Sequence, residues 1–182
     1  MKNKILKETL KIMIFASILS SLGGLGLEIV KDKLLIALPL IIVLPAFAGM
    51  VGDSGIVFVS KITTLYNMKK ISKPEIRKSI RNLFWILLLI AFLSAFYIAF
   101  LSLFVSYLKG FYFNLNFAFK TILVVLLTAL SIGIINFLVA LFGLKYAIKR
   151  NIDPDDLLIP ISTSIADFGS FVVFSILVYL IF

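Results

Sequence analysis

The chain has 182 residues, 62% of them hydrophobic and 15% charged, against roughly 45–50% and 25% in a soluble globular domain; with a mean hydropathy of +1.14 it reads as an integral membrane protein. A formal charge of +9 would suggest nucleic acid in a soluble protein. Here the basic residues punctuate apolar runs, which directs them to membrane topology and anionic lipid headgroups and argues against a nucleic-acid partner. Cys and His are both absent, which removes disulfides, thiolate and imidazole metal sites, haem ligation and the usual neutral-pH proton relay, so any metal must be held by oxygen.

The first apolar run follows Lys2, Lys4, Lys7 and Lys11, as in a signal peptide, but continues through Gly23, Gly24 and Gly26 without a clear small-x-small cleavage pattern before the next span, and is read as a retained helix. With roughly 20 apolar residues needed to cross a bilayer, five spans are predicted at 10–29, 34–60, 83–108, 117–146 and 157–182. The polar connections are each too short to fold alone, so residues 1–182 are expected to form one membrane domain. Of the 18 Lys and Arg, all but Lys31, Lys33, Lys109 and Lys120 lie in the N-terminal tail, in the second connection from Lys61 to Arg81, and in the fourth connection at Lys145, Lys149 and Arg150. The positive-inside rule then puts the N-terminus in the cytoplasm and the C-terminus outside, in a multi-pass protein of the cell membrane.

The second span carries Pro39 and Pro45 and then Gly49, Gly52, Asp53 and Gly55. Proline removes a helix hydrogen bond and glycine tolerates unusual backbone angles, which predicts an unwound segment near the cytoplasmic end, buried in protein or facing a wet cavity. In the fourth span Ala129, Gly133, Asn136, Ala140 and Gly143 recur at helical spacing, a stripe that suits close helix packing or the lining of a pore.

The fifth span contains a lone carboxylate, Asp167. An ionised Asp at the centre of a membrane helix costs roughly 2.5–3.5 kcal/mol on insertion scales, so a chain that keeps one needs a partner or a use for it, and a cation is the simplest partner. Counting about 1.5 Å of rise per residue, Asp167 lies about 15 Å deep, near the midplane. Pro160, Thr163, Asp167, Ser170 and Phe174 share one helix face by spacing, which predicts a polar track on both sides of the carboxylate.

Asp53-Ser54-Gly55 and Asp167-Phe168-Gly169 share Asp-x-Gly before an apolar run, each downstream of a proline. Because the second span runs inward and the fifth outward, the two are candidates for inverted counterparts around one midplane site. Immediately before the fifth span, Asp153-Pro154-Asp155-Asp156 places three carboxylates where they suit a helix N-terminus and could also concentrate cations at a pore mouth. Glu28 and Asp32 beside Lys31 and Lys33 read as interfacial, and Lys61 as a snorkelling lysine. Oxygen ligands without soft donors suit Mg²⁺, Ca²⁺ or Mn²⁺ better than copper or zinc. Mg²⁺ is commonly held by one or two carboxylates through retained waters, which a pair of Asp167 side chains across a two-fold axis would supply.

The segment Leu44-Pro45-Ala46-Phe47-Ala48-Gly49-Met50-Val51-Gly52-Asp53-Ser54-Gly55, with Ser60-Lys61-Ile62-Thr63-Thr64 and the run from Asp153 to Gly169, resembles the membrane domain of the MgtE magnesium channels and the related animal solute carriers for magnesium. The resemblance implies a homodimer with its ion pathway at or near the subunit interface and Asp167 as the central ion ligand. Where the family has Gly-Asn this chain has Gly52-Asp53, and where the carrier branch has Asp-Pro-Asp-Asn it has Asp153-Pro154-Asp155-Asp156. Both changes add negative charge, which leaves the choice of ion open. The regulatory domains of the bacterial channels have no counterpart in these residues, so their gating is not carried over.

The expectation is therefore an all-α, five-span, dimeric channel or carrier for divalent cations, Mg²⁺ first, with no enzymatic chemistry and no organic cofactor. Its candidate ion ligands are Asp167, Asp53, Asp153, Asp155 and Asp156, and its partners are membrane lipid, a second copy and the cation. The rivals are a proton- or Na⁺-coupled carrier of another solute and a non-conducting membrane subunit of a larger complex.

Overall fold

The structure, a computed structural model, describes residues 2–67, 73–150 and 152–182, with side chains at 10–65, 75, 77–150 and 152–182. Lys69, Lys70 and Asn151 fall outside the described residues, as do the side chains of Lys2, Lys4 and Lys7. The described chain is built of helices alone: α1 (Lys2–Ile29), α2 (Lys31–Ile36), α3 (Leu38–Asn67), α4 (Lys73–Leu108), α5 (Leu115–Arg150) and α6 (Pro154–Ile181). All but the short α2 are long and apolar enough to cross a membrane, giving the 5 spans expected.

The helices overrun the predicted ends. Lys61 belongs to α3, and Arg77, Lys78 and Arg81 to α4, so much of the basic second connection is helix that extends past the predicted ends at 60 and 83. Hydropathy marks where lipid ends, whereas a helix continues for as long as its backbone remains bonded and no breaker intervenes.

Helix ends follow local chemistry. Asp153 caps α6, its carboxylate accepting from the Asp155 N–H at 3.0 Å, with Pro154 in the first turn where a missing N–H costs nothing. Asn114 does the same for α5 by accepting from the Phe117 N–H at 2.8 Å. The end of α4 closes with Gly110 at φ 83°: the Phe111 N–H reaches Ser106 O and the Gly110 N–H reaches Tyr107 O, a Schellman pattern that only glycine enters without strain.

The unwound segment expected in the second span is absent. The α3 helix is continuous through Gly49, Gly52, Asp53 and Gly55, with Pro39 in its first turn and Pro45 inside it. Gly55 answers a packing need instead: a methyl there would lie 2.7 Å from Ser162 Oγ and 3.0 Å from Asn136 Nδ2. The cost of glycine in a helix, about 1 kcal/mol, is here set against close approach of α3 to α5 and α6.

Helix α6 sits at the centre, packed against α1, α3 and α5, while α4 covers α3 and α5, and α1 rests chiefly on α6. The pairs Gly23 with Phe168 and Gly26 with Val172 make α1 and α6 run in the same direction. Gly55 with Ser162, and Phe47 against Phe174 at 6.4 Å between ring centroids, make α3 and α6 antiparallel. Buried hydroxyls at Ser102, Ser106 and Thr128 donate to carbonyls of their own helices, so the α4 and α5 interior carries them without an unmet donor. Trp85, Phe100 and Phe142 stay more than half exposed, as lipid-facing residues should.

Candidate functional site

Asp167 stands at the middle of the span Pro154–Ile181, half-buried, with its carboxylate beside the α1 and α3 helices. Ser20 Oγ of α1 donates to Asp167 Oδ2 at 3.2 Å. On the other side a methyl at Gly52 of α3 would lie 3.9 Å from Oδ1, so glycine at this position leaves that oxygen unobstructed. The carboxylate opens into a groove of about 630 Å³ whose polar lining comes from Ser17, Ser20 and Ser21 of α1 and Thr163, Ser164 and Asp167 of α6.

Ser20 was not among the residues read from the sequence. Its signal was weak: Ser17, Ser20 and Ser21 follow helical spacing before Gly23, but nothing local marks a hydroxyl as facing a carboxylate 147 residues away.

The predicted polar face of α6 is corrected in part. Pro160, Thr163 and Asp167 do line the groove. Ser170 is fully buried and donates to Asp167 O, and Phe174 packs against Phe47 in the core. The track therefore extends from Asp167 toward the N-terminal end of α6 and stops on the other side, where α3 packs over the same face.

Asp53 is exposed and lies near the middle of the span Leu38–Leu65, not near its inner end as the sequence suggested. It adjoins Gly52 at the level of Asp167, so the two Asp-x-Gly segments cross at one depth. The difference follows from where α3 begins: Leu35 and Ile36 belong to the separate helix α2, and α3 starts at Leu38 and runs on to Asn67.

Asp153, Asp155 and Asp156 cluster at the start of α6, with Asp153 engaged as the helix cap and Asp156 exposed. Oδ1 of Asp155 is buried without a hydrogen-bond partner among the described residues. Among the described residues no three carboxylates converge in a group that could hold a metal within the chain. The small stripe of α5 is a packing face: Ala129, Asn136 and Ala140 are buried, and methyls at Gly133 and Gly143 would press on Leu88 and Leu158. The Asn136 amide accepts from Ser162 Oγ at 3.5 Å, and its Nδ2 has no partner among the described residues.

The family model described as MgtE, divalent cation transporter, matches residues 44–177, from the second turn of α3 to about one turn before the end of α6, and so takes in both Asp53 and Asp167. No curated protein and no solved structure matches the chain. Five apolar spans, a carboxylate at the middle of the last of them facing a hydroxyl-lined groove, and this match over most of its length place the chain in the MgtE family of membrane-integral divalent cation transporters.

Proposed function

We propose that the chain moves Mg²⁺, as a two-fold homodimer with its N-terminus in the cytoplasm, along a pathway centred on Asp167. The observation that carries this reading is the presence of two carboxylates at one membrane depth, Asp167 open to a groove and Asp53 exposed. Neither can be left to lipid, since an ionised Asp at the bilayer centre is unfavourable by roughly 2.5–3.5 kcal/mol. A second copy set against this face would enclose both carboxylates from each protomer and supply the ligands that a single chain lacks. The absence of Cys and His favours a hard cation. Groove hydroxyls suit an ion that keeps several of its waters, as Mg²⁺ does. Asp153, Asp155 and Asp156, eleven to fourteen residues or about 16–21 Å of helix before Asp167, would draw cations to the cytoplasmic mouth.

Liposomes containing only this chain test the reading. Mg²⁺ should enter without proton movement, and Asp167→Asn, which keeps the side-chain shape and removes the charge, should reduce flux at least about 100-fold while the protein still folds. Near-normal flux in that variant would sink the central claim, and flux that requires a proton or Na⁺ gradient would favour the coupled-carrier rival. No flux from correctly folded wild type would favour a subunit of a larger complex.

A further inference from the structure

We propose that Ser20 of the first helix is a positioning residue for the transported cation, forming with Asp167 a two-point cradle for the ion's hydration shell. The proposal rests on Asp167 being the central carboxylate. Three other groove hydroxyls close on their own helices: Ser21 donates to Ser17 O at 2.8 Å, Ser164 to Pro160 O at 2.7 Å, and Thr163 to the carbonyls of Ile159 and Pro160. Ser20 instead donates across the seam between α1 and α6, to Asp167 Oδ2 at 3.2 Å. A hydroxyl has one proton and two lone pairs. With the proton directed at the carboxylate, the lone pairs remain to accept hydrogen bonds from water bound to a cation.

The seam is built to allow this reach. One turn after Ser20, a methyl at Gly23 would lie 2.9 Å from the Cα of Phe168, the residue after Asp167, and a methyl at Gly26 would lie 3.4 Å from the Cα of Val172. Backbone therefore meets backbone on both turns, close enough for serine to span the gap. With Oδ2 held by Ser20, Oδ1 is left on the side of Gly52. The carboxylate is thereby fixed in one orientation before the ion arrives, which is where preorganisation acts on affinity.

The test is the Mg²⁺ dependence of flux in liposomes for wild type, Ser20→Ala and Ser20→Thr, with Asp167→Asn alongside. Loss of a hydrogen bond to a charged group predicts a rise of about 10-fold in the half-saturating Mg²⁺ concentration for Ser20→Ala, with the maximal rate changed by less than about twofold. Ser20→Thr should restore the half-saturating concentration. An unchanged value in Ser20→Ala, or a loss of maximal rate alone that threonine does not rescue, overturns the proposal. If Asp167→Asn is inactive while Ser20→Ala behaves as wild type, only the role of Ser20 falls; if Asp167→Asn conducts normally, the reading of the site itself falls. Should Ser20→Ala fail to fold, labelling of Ser20→Cys by a water-soluble thiosulfonate is the second measurement: saturating Mg²⁺ should slow it, and a rate indifferent to Mg²⁺ counts against the cradle.

Discussion

At the scale of single residues, the two mid-span carboxylates differ in what surrounds them. Asp167 is held by a hydroxyl and shielded on part of its surface, whereas Asp53 is exposed beside a glycine. Under the proposed dimeric pathway, an exposed carboxylate of this kind contributes charge more than it contributes a shaped site. Asp53→Asn should therefore still conduct, but with discrimination between Mg²⁺ and Ca²⁺ or Mn²⁺ shifted by roughly three- to tenfold, because ligand charge and flexibility govern that choice. Competition flux assays with each ion measure it. Unchanged rate and selectivity would remove Asp53 from the pathway.

At the scale of elements, neighbouring glycines in α1 have opposite surroundings. A methyl at Gly23 would press on the Phe168 backbone at 2.9 Å, while Gly24 has nothing within 4 Å of that position. Backbone cannot rotate aside as a side chain can, so Gly23→Ala must push α1 away from α6, the helix on which it chiefly rests. A destabilisation of about 1–3 kcal/mol is expected for such overpacking. Gly24→Ala gains helix propensity by about 1 kcal/mol at no steric cost and should be neutral or stabilising. Thermal unfolding in detergent separates the two, and equal melting temperatures would mean that the seam is not close-packed. The continuity of α3 belongs to the same scale: its glycines look like a break in the sequence, yet the helix runs through them, and at Gly55 the side chains of Asn136 on α5 and Ser162 on α6 occupy the space a methyl would need.

At the scale of the whole molecule, a dimer that shares the groove places Thr163 of each copy near the common pathway, since Thr163 lines the groove and is half-exposed. The chain has no native Cys, so Thr163→Cys can be cross-linked without background. It should form disulfide-linked dimers, at a rate that bound Mg²⁺ alters. Ser170→Cys, although on the same face by helical spacing, is fully buried within the protomer and should not cross-link. Cross-linking by Ser170→Cys and not by Thr163→Cys would place the two-fold axis elsewhere, and full conduction by a monomer would end the paired-carboxylate mechanism.

How much of this was legible beforehand depends on what kind of information each feature needs. The number of spans, the depth of Asp167 and the resemblance to the MgtE family followed from the order of residues alone, because bilayer thickness sets helix length and a buried charge is rare enough to stand out. The level of Asp53, the inward turn of Ser170 and Phe174, and the meeting of Ser20 with Asp167 did not. In a membrane both the core and the lipid are apolar, so hydropathy cannot tell which face of a helix meets protein. That choice is made by the packing of α1, α3 and α5 around α6, where glycines without side chains decide how near two backbones come and therefore which hydroxyl can reach the carboxylate.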